Sequence, residues 1–245
     1  MKAQPNEIDS AVLGRIVLDL TEIDGEGDIA EFEADYRREH DPYCAVTKVP
    51  AEELATVHKL EDHGFRFVEF QMRLTGSLPQ AFDVSHYPYR IERVISEAQL
   101  EPVLDIATTT FDRDRFSMDP ILRAAGRNIS GERYRRYVLK SFQAADECVY
   151  RLVSDFSAET VGFSTHRHLG EGEATLLLGG VRNDLKHSGM GGVNDYFALN
   201  ELRREGVRRF SGHISGVNYP IINLNMRTLR VRVVACYVVL RKIYG

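Results

Sequence analysis

The chain has 245 residues, 43% apolar and 27% charged, with 31 basic against 36 acidic side chains and a formal net charge of −5. It is long enough for one large core or two small ones. The acidic balance excludes broad nonspecific binding to nucleic acid or anionic membrane, which asks for a basic surface, and leaves room for a local basic pocket.

The three cysteines, Cys44, Cys148 and Cys236, are far apart and odd in number, so no disulfide framework or CxxC site is expected. The N-terminal "MKAQPNEIDSAVLGRIVLDL" lacks the pattern of a signal peptide. The longest apolar run, "VVACYVVL", falls far below the roughly 20 residues of a spanning helix. The expectation is a cytoplasmic protein with no membrane or nucleic-acid partner.

Residues 1–42 are acidic: "AVLGRIVLDL" is read as a strand, and "DIAEFEADYRREHDPY" as a helix stopped by Pro42. "CAVTKVP" then suits a strand, "AEELATVHKLEDH" a helix with Leu54, Val57 and Leu60 on one side, and "FRFVEFQMRL" an alternating strand. Gly64 stands where a helix C-cap belongs. The turn-rich segment from Thr75 to Tyr89 divides the chain into units 1–80 and 81–245.

The second unit reads as a strand "YRIERVI", a helix near Glu97 to Thr109, a polar loop "FDRDRFSMDP" and a helix from Glu132 to Ala145. Strands follow at "CVYRLVSD", "ETVGFSTHRH" and "ATLLLGGVR", then a glycine-rich helix opening, a strand "VRRFSGHI", a segment from Asn218 and the strand "VRVVACYVVL". That last strand is too apolar for an open edge; either the first unit or a second subunit covers it, the latter making a dimer.

Gly189, Gly191 and Gly192 sit between a strand and a helix pattern. Such a junction cradles anions, because the first N–H groups of a helix lack internal partners and carry partial positive charge. A Walker loop would end Gly-Lys-Ser/Thr, and GxGxxG would put glycine where Asn194 stands, so neither fits. A tight turn needing positive φ is the plain alternative.

The stretch Lys186-His187-Ser188-Gly189-Met190-Gly191 resembles the Arg/Gln-x-x-Gly-x-Gly/Ala pattern of the GCN5-related N-acetyltransferases, with lysine for the usual first residue. "NYPIINLN" from Asn218 resembles the family's later Asn-containing segment. "LEDHGFRFVE" and "FDRDRFSMDP" resemble elements of nucleotide-linked amino-sugar acetyltransferases of the dTDP-fucosamine acetyltransferase type. The resemblance implies an α/β fold with a central mixed, mostly antiparallel twisted sheet flanked by helices, and a partial repeat of the fold at the N-terminus. It implies acetyl-CoA as co-substrate, no metal, and an amine acceptor, on a nucleotide sugar or on another small molecule such as a peptide, polyamine or antibiotic.

By that resemblance Gly180, Val181, Lys186, His187, Ser188, Gly189, Met190, Gly191, Gly192 and Asn218 are expected at the coenzyme, and Arg113, Arg115 and Tyr219 at the acceptor. The family's thiolate-protonating Tyr is replaced here by Asn225, an amide that does not donate a proton as a phenol does. Asn225 is therefore expected to hydrogen-bond the thiolate while water delivers the proton; Tyr219 or Tyr237 acting instead, or coenzyme binding without turnover, stay open. His166, His168 and His213 are candidate bases or structural histidines, and the His-x-His pair has no evident third metal ligand.

Overall fold

The computed structural model describes residues 1–23, 27–111, 115–123 and 128–244, without the side chain of Arg115. The chain opens with β1 (Lys2–Pro5), α1 (Glu7–Leu13), β2 (Val17–Thr21), α2 (Ile29–His40), β3 (Cys44–Pro50), α3 (Leu54–Asp62) and β4 (Arg66–Ser77). It continues through β5 (Tyr89–Arg93), α4 (Glu97–Thr110), α5 (Arg115–Met118), α6 (Pro120–Arg123), α7 (Ile129–Gln143), β6 (Glu147–Ser154), β7 (Thr160–Gly170) and β8 (Glu173–Val181). After a short turn of 3-10 helix, Asn183–Leu185, come α8 (Met190–Arg204), β9 (Arg209–Ser215), α9 (Tyr219–Thr228) and β10 (Arg232–Ile243).

All ten strands form one sheet in the order β1-β2-β3-β10-β4-β9-β8-β7-β6-β5. β2 and β3 pair in parallel, as do β8 and β9; every other neighbouring pair is antiparallel. The apolar β10 thus lies inside the sheet, hydrogen-bonded to β3 and β4 on its two sides. Alternation along the strands sends side chains to two opposite faces. Leu18, Leu20, Ala45 and Leu240 pack with Ile29 and Tyr36 of α2 and Val57 and Leu60 of α3, and Ala174 and Phe210 pack with Leu199 and Leu202 of α8. On the other face Val149 and Phe163 pack against Val103 and Ala107 of α4 and Val138 of α7.

Local chemistry sets the element ends. Asp28 caps α2 by accepting from Ala30 and Glu31 N–H at 2.9 and 3.1 Å, and Asp41 (φ 45°) closes it ahead of Pro42. Asn128 caps α7 through Gly131 N–H at 3.0 Å. Gly131 also marks a close crossing, since a methyl group there would stand 2.3 Å from the carbonyl oxygen of Thr108 in α4. Backbone cannot yield cheaply, so Gly131→Ala is expected to cost about 1–3 kcal/mol in urea denaturation. An unchanged midpoint would mean that the two helices do not cross this closely.

Three expectations need correction. "AVLGRIVLDL" is not one strand: Ala11, Val12 and Leu13 end α1, Gly14 (φ 68°) caps it, and only from Val17 is the chain extended. The Asn6 side chain caps that helix by accepting from Asp9 N–H, a signal the apolar run masked. Leu54 is 57% exposed, because α3 begins at this residue and buries Thr56, Val57 and Leu60 instead. Within "FDRDRFSMDP", residues Arg115–Met118 form α5, with Phe116 buried against Leu122 and Ile129.

Candidate functional site

β8 and β9 are the parallel neighbours, and their pairing ends at Leu176 opposite Gly212. Beyond it β8 runs on to Val181 and β9 to Ser215 with no register between them. On its other side β8 slips register against β7 between Leu176 and Leu178, which leaves Leu177 as a bulge at the mouth of the opening. The result is a wedge whose β8 lip offers unpaired backbone, and Gly179 on that lip is exposed.

At the far end of β8 the chain enters the glycine loop. His187 has φ 68° and Gly189 φ 87°, both left-handed, and Gly189 is the residue before the first turn of α8. Ser188 Oγ donates to Leu185 O at 2.7 Å and accepts from Met190 N–H at 3.4 Å. The N–H groups of His187, Gly189 and Gly191 have no acceptor among the described residues. Successive free donors at a helix N-terminus make an anion-binding concavity.

The glycines do different things. A side chain at Gly189 would meet open space, so its backbone conformation is what requires glycine. Gly191 and Gly192 instead face Ile221 and Leu224 of α9, 3.5–3.9 Å from where a methyl group would sit. Gly180 backs onto Thr110 and Phe163, and the Val181 carbonyl already accepts from Thr110 Oγ1 at 3.0 Å. Asn218 precedes α9 without a side-chain cap, and Tyr219 is 61% exposed. Asn225, one turn from the end of α9, buries a side-chain carbonyl with no hydrogen-bond partner among the described residues. Arg113 lies outside the described residues, as does the side chain of Arg115.

Reading residue types in sequence named His213 and Tyr237 singly but missed two groupings. The first crosses the sheet on the face opposite α8. Gln71 of β4 lies between Tyr237 of β10 and Ser215 of β9, and Arg73 lies opposite His213. Tyr237 meets His213 at 5.9 Å between ring centroids and Lys48 at 5.6 Å. Gln71 donates to Glu69 at 2.8 Å, and Glu69 is buried. Desolvation, with Lys48 and Arg73 nearby, lowers the His213 pKa to about 4, so its imidazole is neutral at physiological pH. His213 and Ser215 stand on the β9 lip of the wedge, past its last pair with β8. The second is Asp195 of α8, whose Oδ1 stands 3.9 Å from where a methyl group on Gly179 would sit and whose pKa burial raises to about 7. Strand alternation from Gln71 through Tyr237 could have suggested the first; nothing in sequence spacing marks the second.

The other histidines lie elsewhere. His166 is fully buried against Tyr150 (centroids 5.0 Å apart), its pKa lowered to about 3 by desolvation and, less, by His168 and Arg93. His168 approaches Glu205 at 3.0 Å, and Glu205 also accepts from Tyr150 Oη. Among the described residues no group of three or more His, Cys, Asp or Glu could hold a metal ion, and no helix is long and apolar enough to cross a membrane.

Solved structures share this architecture. A GCN5-related N-acetyltransferase from Sphaerobacter thermophilus superposes with a TM-score of 0.66 over 93% of this chain and 72% of its own, at 15% identity. The fold is that of the GCN5-related N-acetyltransferases. A tandem protein of this fold from the clavulanic acid biosynthesis pathway gives a TM-score of 0.61 over 94% of this chain and 75% of its own, at 13% identity. A GCN5-related glucosamine N-acetyltransferase region of a fungal multi-domain GH3 beta-N-acetylglucosaminidase gives 0.64 over 98% of this chain and 31% of that one, at 14% identity. No family model matches the sequence, and no curated protein does. On this acetyltransferase fold, the wedge and glycine loop occupy the junction that joins the two parallel strands through α8.

Proposed function

We propose that the chain is an acetyl-CoA-dependent N-acetyltransferase that acts by direct transfer on a small amine, carried by a nucleotide-linked amino sugar. One coincidence carries this reading: three unpartnered N–H groups at His187, Gly189 and Gly191 adjoin a β8 edge from Leu177 to Val181 that pairs with no strand, although the Val181 carbonyl is taken by Thr110 Oγ1. The donors, with Lys186 beside them, suit a pyrophosphate, and the free edge suits an amide-bearing arm that pairs as a strand would. Bound acetyl-CoA supplies the activated acyl group and a thiolate leaving group; the protein supplies orientation and electrostatics.

The acceptor reading rests on the wall across β10, β4 and β9. Lys48 and Arg73 suit the phosphates of a nucleotide, and the buried Glu69 suits an amine. The likeness to a glucosamine N-acetyltransferase region points toward an amino sugar. Asn225 is suited to hydrogen-bond the sulfur end of the coenzyme rather than to protonate it.

Thiol release from acetyl-CoA over a panel of nucleotide-linked amino sugars, free amino sugars and polyamines tests the proposal. Turnover is expected with the first class. Arg73→Ala should raise the KM for a nucleotide-linked acceptor by about 10–100-fold, the value of one charged hydrogen bond, and leave a free amino sugar unaffected. Coenzyme binding without turnover on any amine would overturn the enzyme reading.

A further inference from the structure

The wall on the face opposite α8 carries two buried polar atoms that nothing in the fold satisfies. Gln71 of β4 and Ser215 of β9 stand directly opposite one another in an antiparallel ladder. Their side chains therefore project to the same face from Cβ atoms about 4.5–5.5 Å apart. Gln71 Oε1 and Ser215 Oγ are both buried, and neither has a hydrogen-bond partner among the described residues.

The Gln71 amide has its orientation set by Glu69. Its Nε2 donates to Glu69 Oε1 at 2.8 Å, and because a carboxylate only accepts, the nitrogen faces Glu69 and the amide oxygen is left over. Glu69 is itself buried, which shields that bond from competing water. Buried polar groups of a folded protein are nearly always satisfied, so two unmatched oxygens on facing residues mark a place for a hydrogen-bond donor. The pair also borders the wedge: Ser215 lies past Gly212, the last residue of β9 paired with β8, on the lip across from the free β8 edge. Arg73 and His213, the next pair along the same face, are exposed, and their side chains hydrogen-bond no described residue, so they can turn aside to admit a ligand.

We propose that Gln71 Oε1 and Ser215 Oγ together hold the acceptor nitrogen and thereby select a primary amine. This rests on the acetyl-CoA reading above. A neutral primary amine carries two N–H bonds and one lone pair; with both hydrogens held by the wall, the lone pair is left for the acyl carbon. As the nitrogen bonds to that carbon, the carbon–sulfur bond breaks and its electron pair goes to sulfur. The nitrogen gives up one hydrogen as a proton to water, and the thiolate takes a proton from water, so amine and thioester become amide and thiol. A secondary amine has a single N–H and strands one of the two oxygens, buried and unmatched, which is the costly outcome.

Each primary amine of the acceptor panel above that wild type acetylates is paired with its N-methyl derivative, beginning with glucosamine and N-methylglucosamine. Wild type is expected to favour the primary amine in kcat/KM by about 10–100-fold, the cost of one buried polar atom left without a partner. Ser215→Ala removes one acceptor, and Gln71→Met keeps the length of the side chain without the amide. In each variant the preference should shrink to within about threefold, since the secondary amine no longer strands an oxygen, while the coenzyme Kd stays within about twofold. A merely structural role would slow both amines alike and leave their ratio unchanged. Ser215→Ala should also keep or raise Tm, because it deletes a buried oxygen that has no partner. A wild type indifferent to N-methylation, or a preference that survives both substitutions, would overturn this inference alone; a sugar hydroxyl or an ordered water on these oxygens would give that result. Failure of wild type to bind CoA, or to acetylate any amine, would overturn the enzyme reading, and this inference with it.

Discussion

Asp9→Ala is expected to unfold at a Tm lower by about 6–20 °C, the equivalent of about 3–5 kcal/mol in a chain of this size. Arg133 of α7 donates from Nε to Asp9 of α1 at 2.6 Å, with side-chain exposures of 11% and 1%. Its second guanidinium nitrogen donates to Tyr137 Oη at 3.2 Å, and the rings of Phe116, Tyr134 and Tyr137 surround it within 4.6–5.6 Å. Burial is the largest single effect and works against this charge, but the Asp9 carboxylate, Tyr137, Tyr134 and the hydrogen bond to Asp9 together outweigh it, and the guanidinium stays ionised. Removing the carboxylate strands a buried cation, which costs far more than the net value of the pair. Replacing both residues, as Asp9→Leu with Arg133→Met, should recover most of the loss. A single Asp9→Ala variant within about 1 kcal/mol of wild type would show that water reaches Arg133.

Gly189→Val is expected to weaken CoA binding by about 10²-fold or more while the chain stays folded. The left-handed backbone at φ 87° disfavours a β-branched residue by about 1–2 kcal/mol. Any shift from it turns the N–H groups of Gly189 and Gly191 away from a common anion, and a charge-assisted hydrogen bond is worth about 1.5–3 kcal/mol. Since nothing lies within 4 Å of the new methyl position, the loss should fall on the ligand rather than on packing. Calorimetry with CoA reads the affinity and circular dichroism the fold; an unchanged Kd would remove the loop from the site.

Strands β3 through β10 were legible because their apolar runs are bounded by turn residues and alternate over one buried face. The helix α1 was not, because its apolar Ala11, Val12 and Leu13 join the strand Val17–Thr21 across only three residues. The apolar run of β10 showed that it could not be an open edge, and the first unit covers it through β3 and β4; which strands do so was beyond sequence reading, since the ladder joins residues far apart, Val239 with Lys48 and with Glu69. Similarly, the glycine loop announced itself through composition, whereas Asp195 did not. An acidic residue in the second turn of an amphipathic helix looks like an ordinary surface position until Gly179 is placed beneath it. The wall of Glu69, Gln71, Arg73 and His213 joins residues more than 130 positions apart through strand register alone.

The central claim is that the wedge between β8 and β9 takes an acyl-CoA. A crystal structure with CoA bound tests it most directly. The account predicts pyrophosphate oxygens on the N–H groups of His187, Gly189 and Gly191, the arm paired along β8 from Val181 to Leu177, and the sulfur at the Leu177 end of that edge. Coenzyme bound elsewhere, or a wedge left closed to it at saturating CoA, would contradict the account.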